Sequence, residues 1–177
     1  GRLITLAAPY ADLQVEVAVG PASVSEGAAA TLVWRVRNAG DSATNATQWN
    51  DAVYLSSDTV LDAGDLLLGQ FAHSGALAVG ETYSVSAGVT VPFGRAGSWY
   101  FLVRSDAGEQ VFEGAFDGNN VTATIEPTVV GAVPTPDLAV QSQDRRRIRV
   151  FSFRGGRARE FGQAELPSDA AEDFKVV

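Results

Sequence analysis

The chain contains no cysteine, no methionine, a single histidine, and one lysine against twelve arginines. Without cysteine there can be no disulfide, no thiolate metal site and no cysteine nucleophile. That does not point to the cytosol, because bacterial surface proteins also dispense with cysteine. The lack of methionine marks the 177 residues as a fragment or processed piece. No apolar run approaches the roughly 18 residues needed to cross a bilayer, and no cleavable signal peptide is recognisable, so membrane insertion is not expected. The net charge of −8 argues against nucleic acid and against an anionic membrane surface. Catalysis is poorly provided for. A hydrolase triad would need His73 to meet a serine and an aspartate in space. No Gly-x-Ser-x-Gly elbow, Ser-x-x-Lys pair or phosphate-cradling glycine loop is present. The expectation is a protein that is not an enzyme, with His73 a turn or strand-end residue.

What is present is β-structure. Apolar residues make up 46% and charged residues 19%, the balance of a globular chain that can bury a core. The central stretch runs from Trp49 to Gly69. Its first half alternates, Val53 and Leu55 against Ala52 and Tyr54, as a half-buried strand does. Its second half is a turn with Asp58, Asp62 and Asp65, and Leu66-Leu67-Leu68 returns the chain to a strand reaching about Phe71. Leu13, Val15, Val17 and Val19 predict a first strand ending at Gly20-Pro21. Thr31–Arg37 places Leu32, Trp34 and Val36 on one face and Arg35 and Arg37 on the other. Glu81–Val91 alternates in the same way, Ser98–Arg104 is bulky on both faces like a central strand, and Val121–Val130 closes the set. Helical periodicity is nowhere sustained. About seven short strands predict an all-β fold, an immunoglobulin-like antiparallel β-sandwich, with an eight-stranded jelly roll as the alternative. Trp34 and Trp49 are read as core residues.

Pro9-Tyr-Ala-Asp-Leu-Gln-Val15 resembles Pro134-Thr-Pro-Asp-Leu-Ala-Val140 at an offset of 125 positions, which predicts tandem repetition. Residues 1–10 then read as the tail of a preceding repeat and a linker, 11–133 as one whole domain, and 134–177 as the start of a next repeat. Seven of the thirteen basic residues fall between 145 and 159. This Arg-rich stretch and the acidic end after it are read as an atypical, poorly ordered tail, with a polyanion partner as the alternative reading of the basic patch.

The acidic side chains form two groups. Residues 1–135 hold fourteen of them against five basic ones. The first group is Asp51, Asp58, Asp62 and Asp65; the second is Asp106, Glu109, Glu113 and Asp117, followed by Asn119-Asn120. Carboxylates and amide carbonyls at loop spacing are the hard oxygens that Ca²⁺ selects. The spacing is not that of an EF-hand, and solvated turn formers are the alternative. The cation expectation is Ca²⁺ on Asp58, Asp62 and Asp65, with Asp51 and the Val60 carbonyl completing the shell. Asn45-Ala-Thr47 and Asn120-Val-Thr122 match the glycosylation sequon, a short pattern of little weight.

Several of these segments together carry a resemblance. They are Val33-Trp-Arg-Val-Arg-Asn38, Trp49-x-Asp-x-Val-Tyr-Leu-Ser-x-Asp58 with Leu61-Asp-x-Gly-Asp65 and Leu67-Leu-Gly69, Ser74-Gly75, Gly97-x-Trp-Tyr-Phe-Leu-Val103, Val111-x-Glu113 and Asn119-Asn120. Over about 11–130 the chain resembles a CARDB domain, the cell-adhesion-related domain found in bacteria. The resemblance implies an immunoglobulin-like sandwich, usually in tandem within large secreted or surface-anchored proteins, and no catalytic residues. Two functions follow as expectations. One is a structural or adhesive spacer whose partners are neighbouring repeats of the same extracellular chain. The other is an accessory module of a secreted enzyme, binding a cell-surface glycan or protein, with Trp99 and Phe116 as sugar-stacking candidates.

Overall fold

The computed structural model describes residues 9–133, 137–144, 147–154 and 157–165. They fall into two units that divide between Val133 and Pro134.

In the first unit, alternation in sequence becomes two facing layers. Strand β1 (Leu13–Val19), β3 (Ala29–Asn38) and β6 (Thr82–Thr90) form one antiparallel sheet in the order β1-β3-β6. The short β2 (Ser23–Ser25), β4 (Gln48–Ser56), β5 (Leu66–Ser74), β7 (Gly97–Arg104), β8 (Val121–Ala123) and β9 (Thr128–Gly131) form the other. Its order is β2-β9-β7-β4-β5, with β8 pairing β7. The strict alternation of β3 buries Ala30, Leu32, Trp34, Val36 and Asn38 and exposes every residue between them. Trp49, Val53 and Leu55 of β4 and Phe101 and Val103 of β7 face them across the core. Trp34 and Trp49 are buried as expected, at 0% and 1% exposure. β7 is the central strand its bulky residues predict, with β4 on one side and β8 and β9 on the other.

The sandwich is built as predicted, with differences in detail. The single strand expected over Val121–Val130 is two, because the proline ring of Pro127 removes a ladder donor and the chain breaks off at 124–127. β2, too short to show a period, pairs parallel with β9. Gly40 is required by a close approach. A Cβ there would collide with the backbone at Tyr10, whose carbonyl accepts from the amides of Asp41 (2.9 Å) and Ser42 (3.1 Å). That contact seats the incoming chain beside the C-terminal end of β3. The outgoing chain leaves beside the N-terminal end of β3, where Gly131 pairs Ser25 and its carbonyl accepts from the Glu26 amide.

The second unit is an antiparallel meander of β10 (Asp137–Asp144), β11 (Arg147–Arg154) and β12 (Arg157–Glu165). β10 begins where the repeated Asp-Leu-x-Val motif predicts a strand. β11 and β12 fall within the Arg-rich stretch that the sequence reading took for an atypical, poorly ordered tail. Ile148, Val150, Phe151 and Phe153 supply the β-branched and aromatic residues of a strand between the arginines. The reading of 1–8 as the tail of a preceding repeat, and the end of the chain after 165, lie outside the described residues.

Candidate functional site

Three polar clusters could carry chemistry. The first is the acidic turn between β4 and β5. Asp58, Asp62 and Asp65 do share this turn, and each carboxylate is already engaged by the turn's own backbone. Asp58 Oδ1 accepts from the Val60 amide (2.8 Å), Asp62 Oδ1 from the Gly64 amide (2.6 Å), and Asp65 Oδ2 from the Asp62 amide (2.8 Å). Ser56 Oγ adds a bond from the Asp58 amide (3.1 Å). Short acidic side chains that satisfy nearby N–H groups are what holds such turns. Among the described residues no three acidic or histidine side chains converge on a point where a cation could sit.

Asp51 is not with them. The side chains of Trp49, Asp51, Val53 and Leu55 alternate onto the inner face of β4, so Asp51 lies in the core, 1% exposed. Its Oδ2 accepts from Trp34 Nε1 on β3 (2.8 Å), and the Tyr83 hydroxyl on β6 donates to the carboxylate (2.9 and 3.0 Å to its two oxygens). The same hydroxyl accepts from Trp49 Nε1 (2.9 Å). Burial raises the Asp51 carboxyl to about 6, against the opposing pull of the Trp34 and Tyr83 hydrogen bonds. Burial, joined by the neighbouring carboxylate, also drives the Tyr83 phenol far above its ordinary value. The His73 ring lies against both Tyr83 (centroids 3.9 Å) and Trp49 (4.1 Å), its Nε2 3.1 Å from the Gly75 carbonyl oxygen. Burial lowers its basicity. The network joins strands of both sheets through one buried carboxylate. It ties β4 of one sheet to β3 and β6 of the other.

The third cluster closes the end of the sandwich where the chain enters. Glu113, 0% exposed, accepts from the Leu13 amide and from Asn120 Nδ2. Asp106 sits at a positive φ of 45° and accepts from the amides of Gln110 (2.9 Å) and Val111 (2.8 Å). Asn119 Nδ2 donates to Asp12 Oδ1 (3.0 Å), and Arg104 pairs with Glu109 (2.9 Å). Burial raises both Glu113 and Asp106. The second acidic group thus folds the 105–120 loop onto β1. Asn120, only 2% exposed, is too buried to accept a glycan.

The sugar-stacking candidates lie at opposite ends of β7 and do not form one platform. Trp99, near its start, packs against the core with the Arg95 guanidinium 5.4 Å over its ring. Phe116, in the loop after its end, is 46% exposed. Asp51 is the residue whose role the sequence reading missed. The available signal was parity: a carboxylate two positions from Trp49 and from Val53 must share their inward face.

The chain is similar to known proteins. The family model for CARDB matches residues 10–124. The CARDB domain of a Pyrococcus furiosus protein, crystallised in complex with di-metal ions, is 21% identical. That likeness covers 74% of this chain and 97% of that one, with a TM-score of 0.50. The solution structure of the same Pyrococcus furiosus domain is 21% identical over 68% of this chain and 95% of that one, TM-score 0.48. A β-glucosidase from Listeria innocua in complex with glucose is 18% identical over 70% of this chain and 17% of that one, TM-score 0.43. No curated protein matches the chain.

Proposed function

The chain belongs to the CARDB family, a family of non-catalytic modules, and on that premise we propose that it serves as a structural or adhesive spacer in a larger extracellular bacterial protein. The observation that carries the proposal is the path of the chain through the first unit. It enters beside Asn38 and leaves beside Ser25 and Glu26, near opposite ends of β3. Ten residues at about 3.3 Å each separate the two by about 30 Å. A domain threaded end to end adds its own length to a chain of copies, whereas one with adjacent termini hangs from it as a side branch. The recurrence of Pro-x-x-Asp-Leu-x-Val just past Val133 fits such a series.

Small-angle scattering tests this on chains carrying one, two and three in-line copies of residues 10–133. The maximum dimension should grow by about 30 Å or more with each copy. A dimension that stays nearly constant would overturn the spacer reading. The accessory reading has less support, because Trp99 and Phe116 stand apart and one face of Trp99 is covered by Arg95.

The di-metal complex of the Pyrococcus furiosus domain raises the cation question for this chain too. In the 58–65 turn each carboxylate holds a backbone amide through one oxygen, the three do not converge on one point, and Asp51 is sealed in the core away from them. No step of the proposed function runs through a metal.

A further inference from the structure

β5 and β6 are consecutive strands that end the two sheets, each hydrogen-bonded on one side only among the described residues. Their inner-face side chains touch the core yet are only partly buried: Leu66, Leu68 and Phe71 on β5, Tyr83, Val85 and Ala87 on β6. The sandwich is open along this side.

The two edges differ in how they are guarded. Sheet edges are commonly protected from pairing by charge, proline, a bulge or shortness. β1, at the far edge of the same sheet, has a register break between Val15 and Val17 and an exposed Glu16 held by Arg35 (2.9 Å) and Arg37 (3.7 Å). β2 is three residues long, and the pairing of β5 slips between Val53 and Tyr54 of its partner. β6 has none of these devices. It is nine residues, Thr-Tyr-Ser-Val-Ser-Ala-Gly-Val-Thr, without charge or proline. It pairs β3 from Arg37↔Thr82 to Ala29↔Thr90 without a break.

The sequence of β6 also fits itself. Antiparallel to a second copy and centred on Ser86, it places Thr82 opposite Thr90, Ser84 opposite Gly88 and Ser86 opposite its counterpart on the outer face. On the inner face Tyr83 meets Val89 and Val85 meets Ala87. The hydroxyl pairs Thr82–Thr90 and Ser86–Ser86 outside, with Ser84 facing Gly88, and the apolar pairs inside are cross-strand partners compatible with a sheet. Glu81, just outside the strand, meets Val91 rather than another carboxylate, so the chain's negative charge is not concentrated at the junction.

We propose that β6 is a homotypic pairing edge, through which two copies of this domain join antiparallel about a twofold axis at Ser86 and merge their three-stranded sheets into one. The twofold arrangement is self-complementary and closed. It does not depend on the spacer reading, and it would give a thread of such domains a sideways contact.

Sedimentation equilibrium of the full chain tests it from about 1 µM to about 1 mM, the range in which a small interface populates. The mass should climb toward twice that of the monomer. Ser86→Lys, which sets two ammonium groups against each other at the axis, should stay monomeric with an unchanged far-ultraviolet spectrum. Ser74→Lys, on the exposed β5 edge, should dimerise as the wild type does. Because the chain has no cysteine, Ser86→Cys supplies a second readout. It should form an interchain disulfide under mild oxidation, and Ser74→Cys should not. A wild type that stays monomeric throughout, a dimer that survives Ser86→Lys with the fold intact, or equal cross-linking of the two cysteine variants would each overturn the proposal.

Discussion

Replacing Asp51 by Asn tests the central polar network through its pH dependence. In the unfolded chain Asp51 ionises near its ordinary 3.8; in the fold, burial raises it to about 6. A folded value above the unfolded one means that the native state holds the proton more tightly. The resulting stabilisation is fully present below about 4 and is lost as pH rises through 6. A tenfold difference in proton affinity between the two states is worth about 1.4 kcal/mol, so ionising Asp51 should cost the native state about 3 kcal/mol between pH 4 and pH 8. Asn keeps an acceptor oxygen for the Trp34 indole or the Tyr83 hydroxyl and has no proton to lose. Urea unfolding of wild type and Asp51→Asn at pH 4, 5, 6, 7 and 8 gives the difference curve. Glu113, whose carboxyl burial also raises, contributes to both proteins and cancels; Asp106 cancels apart from its repulsion of the Asp51 carboxylate, which the variant removes. The variant should gain on the wild type by about 3 kcal/mol across this range, with most of the change between pH 4 and 6. Parallel curves would refute the reasoning. They would mean that the two donors stabilise the carboxylate as much as burial penalises it.

Trp34→Ala should cost about 3–5 kcal/mol by emptying the centre of the core; a variant of near wild-type stability in urea would contradict its place there. Trp34→Phe should cost less, and by removing the Nε1 donor it should move the pH-dependent fall in stability upward, read from the same titration. Calcium against EDTA should leave the thermal midpoint unmoved, because among the described residues the turn carboxylates do not converge on one point; a rise abolished by Asp62→Ala with Asp65→Ala would restore the turn as a cation site. That double variant should itself lose about 1–2 kcal/mol, measured by urea unfolding, for the two turn hydrogen bonds it removes.

How much was legible in advance differs by element. Period-two alternation over 13–19, 31–37 and 81–91 could be read locally, because a strand with one face in a core must place its apolar residues at every second position. With the alternation that follows Trp49 and the two-faced bulk of 98–104, it gave the all-β class, the burial of Trp34 and Trp49 and the central place of β7. The Pro-x-x-Asp-Leu-x-Val recurrence likewise needed only comparison of the chain with itself. The acidic residues were harder. Asp51, Asp58, Asp62 and Asp65 lie within fifteen positions, and by spacing alone they formed one group. The tertiary structure divides them, since β4 ends at Ser56 and turns Asp51 inward before the chain reaches the others. Trp34, Tyr83 and Asp51 are 17 and 32 positions apart, and only the stacking of two sheets brings indole and phenol donors to one carboxylate. The amino-acid order determined which faces are apolar, a matter of single-strand periodicity. Which carboxylate is desolvated, and which strand edges stay open, was decided by the packing of one layer on the other, because burial and pairing are properties of neighbours distant in sequence.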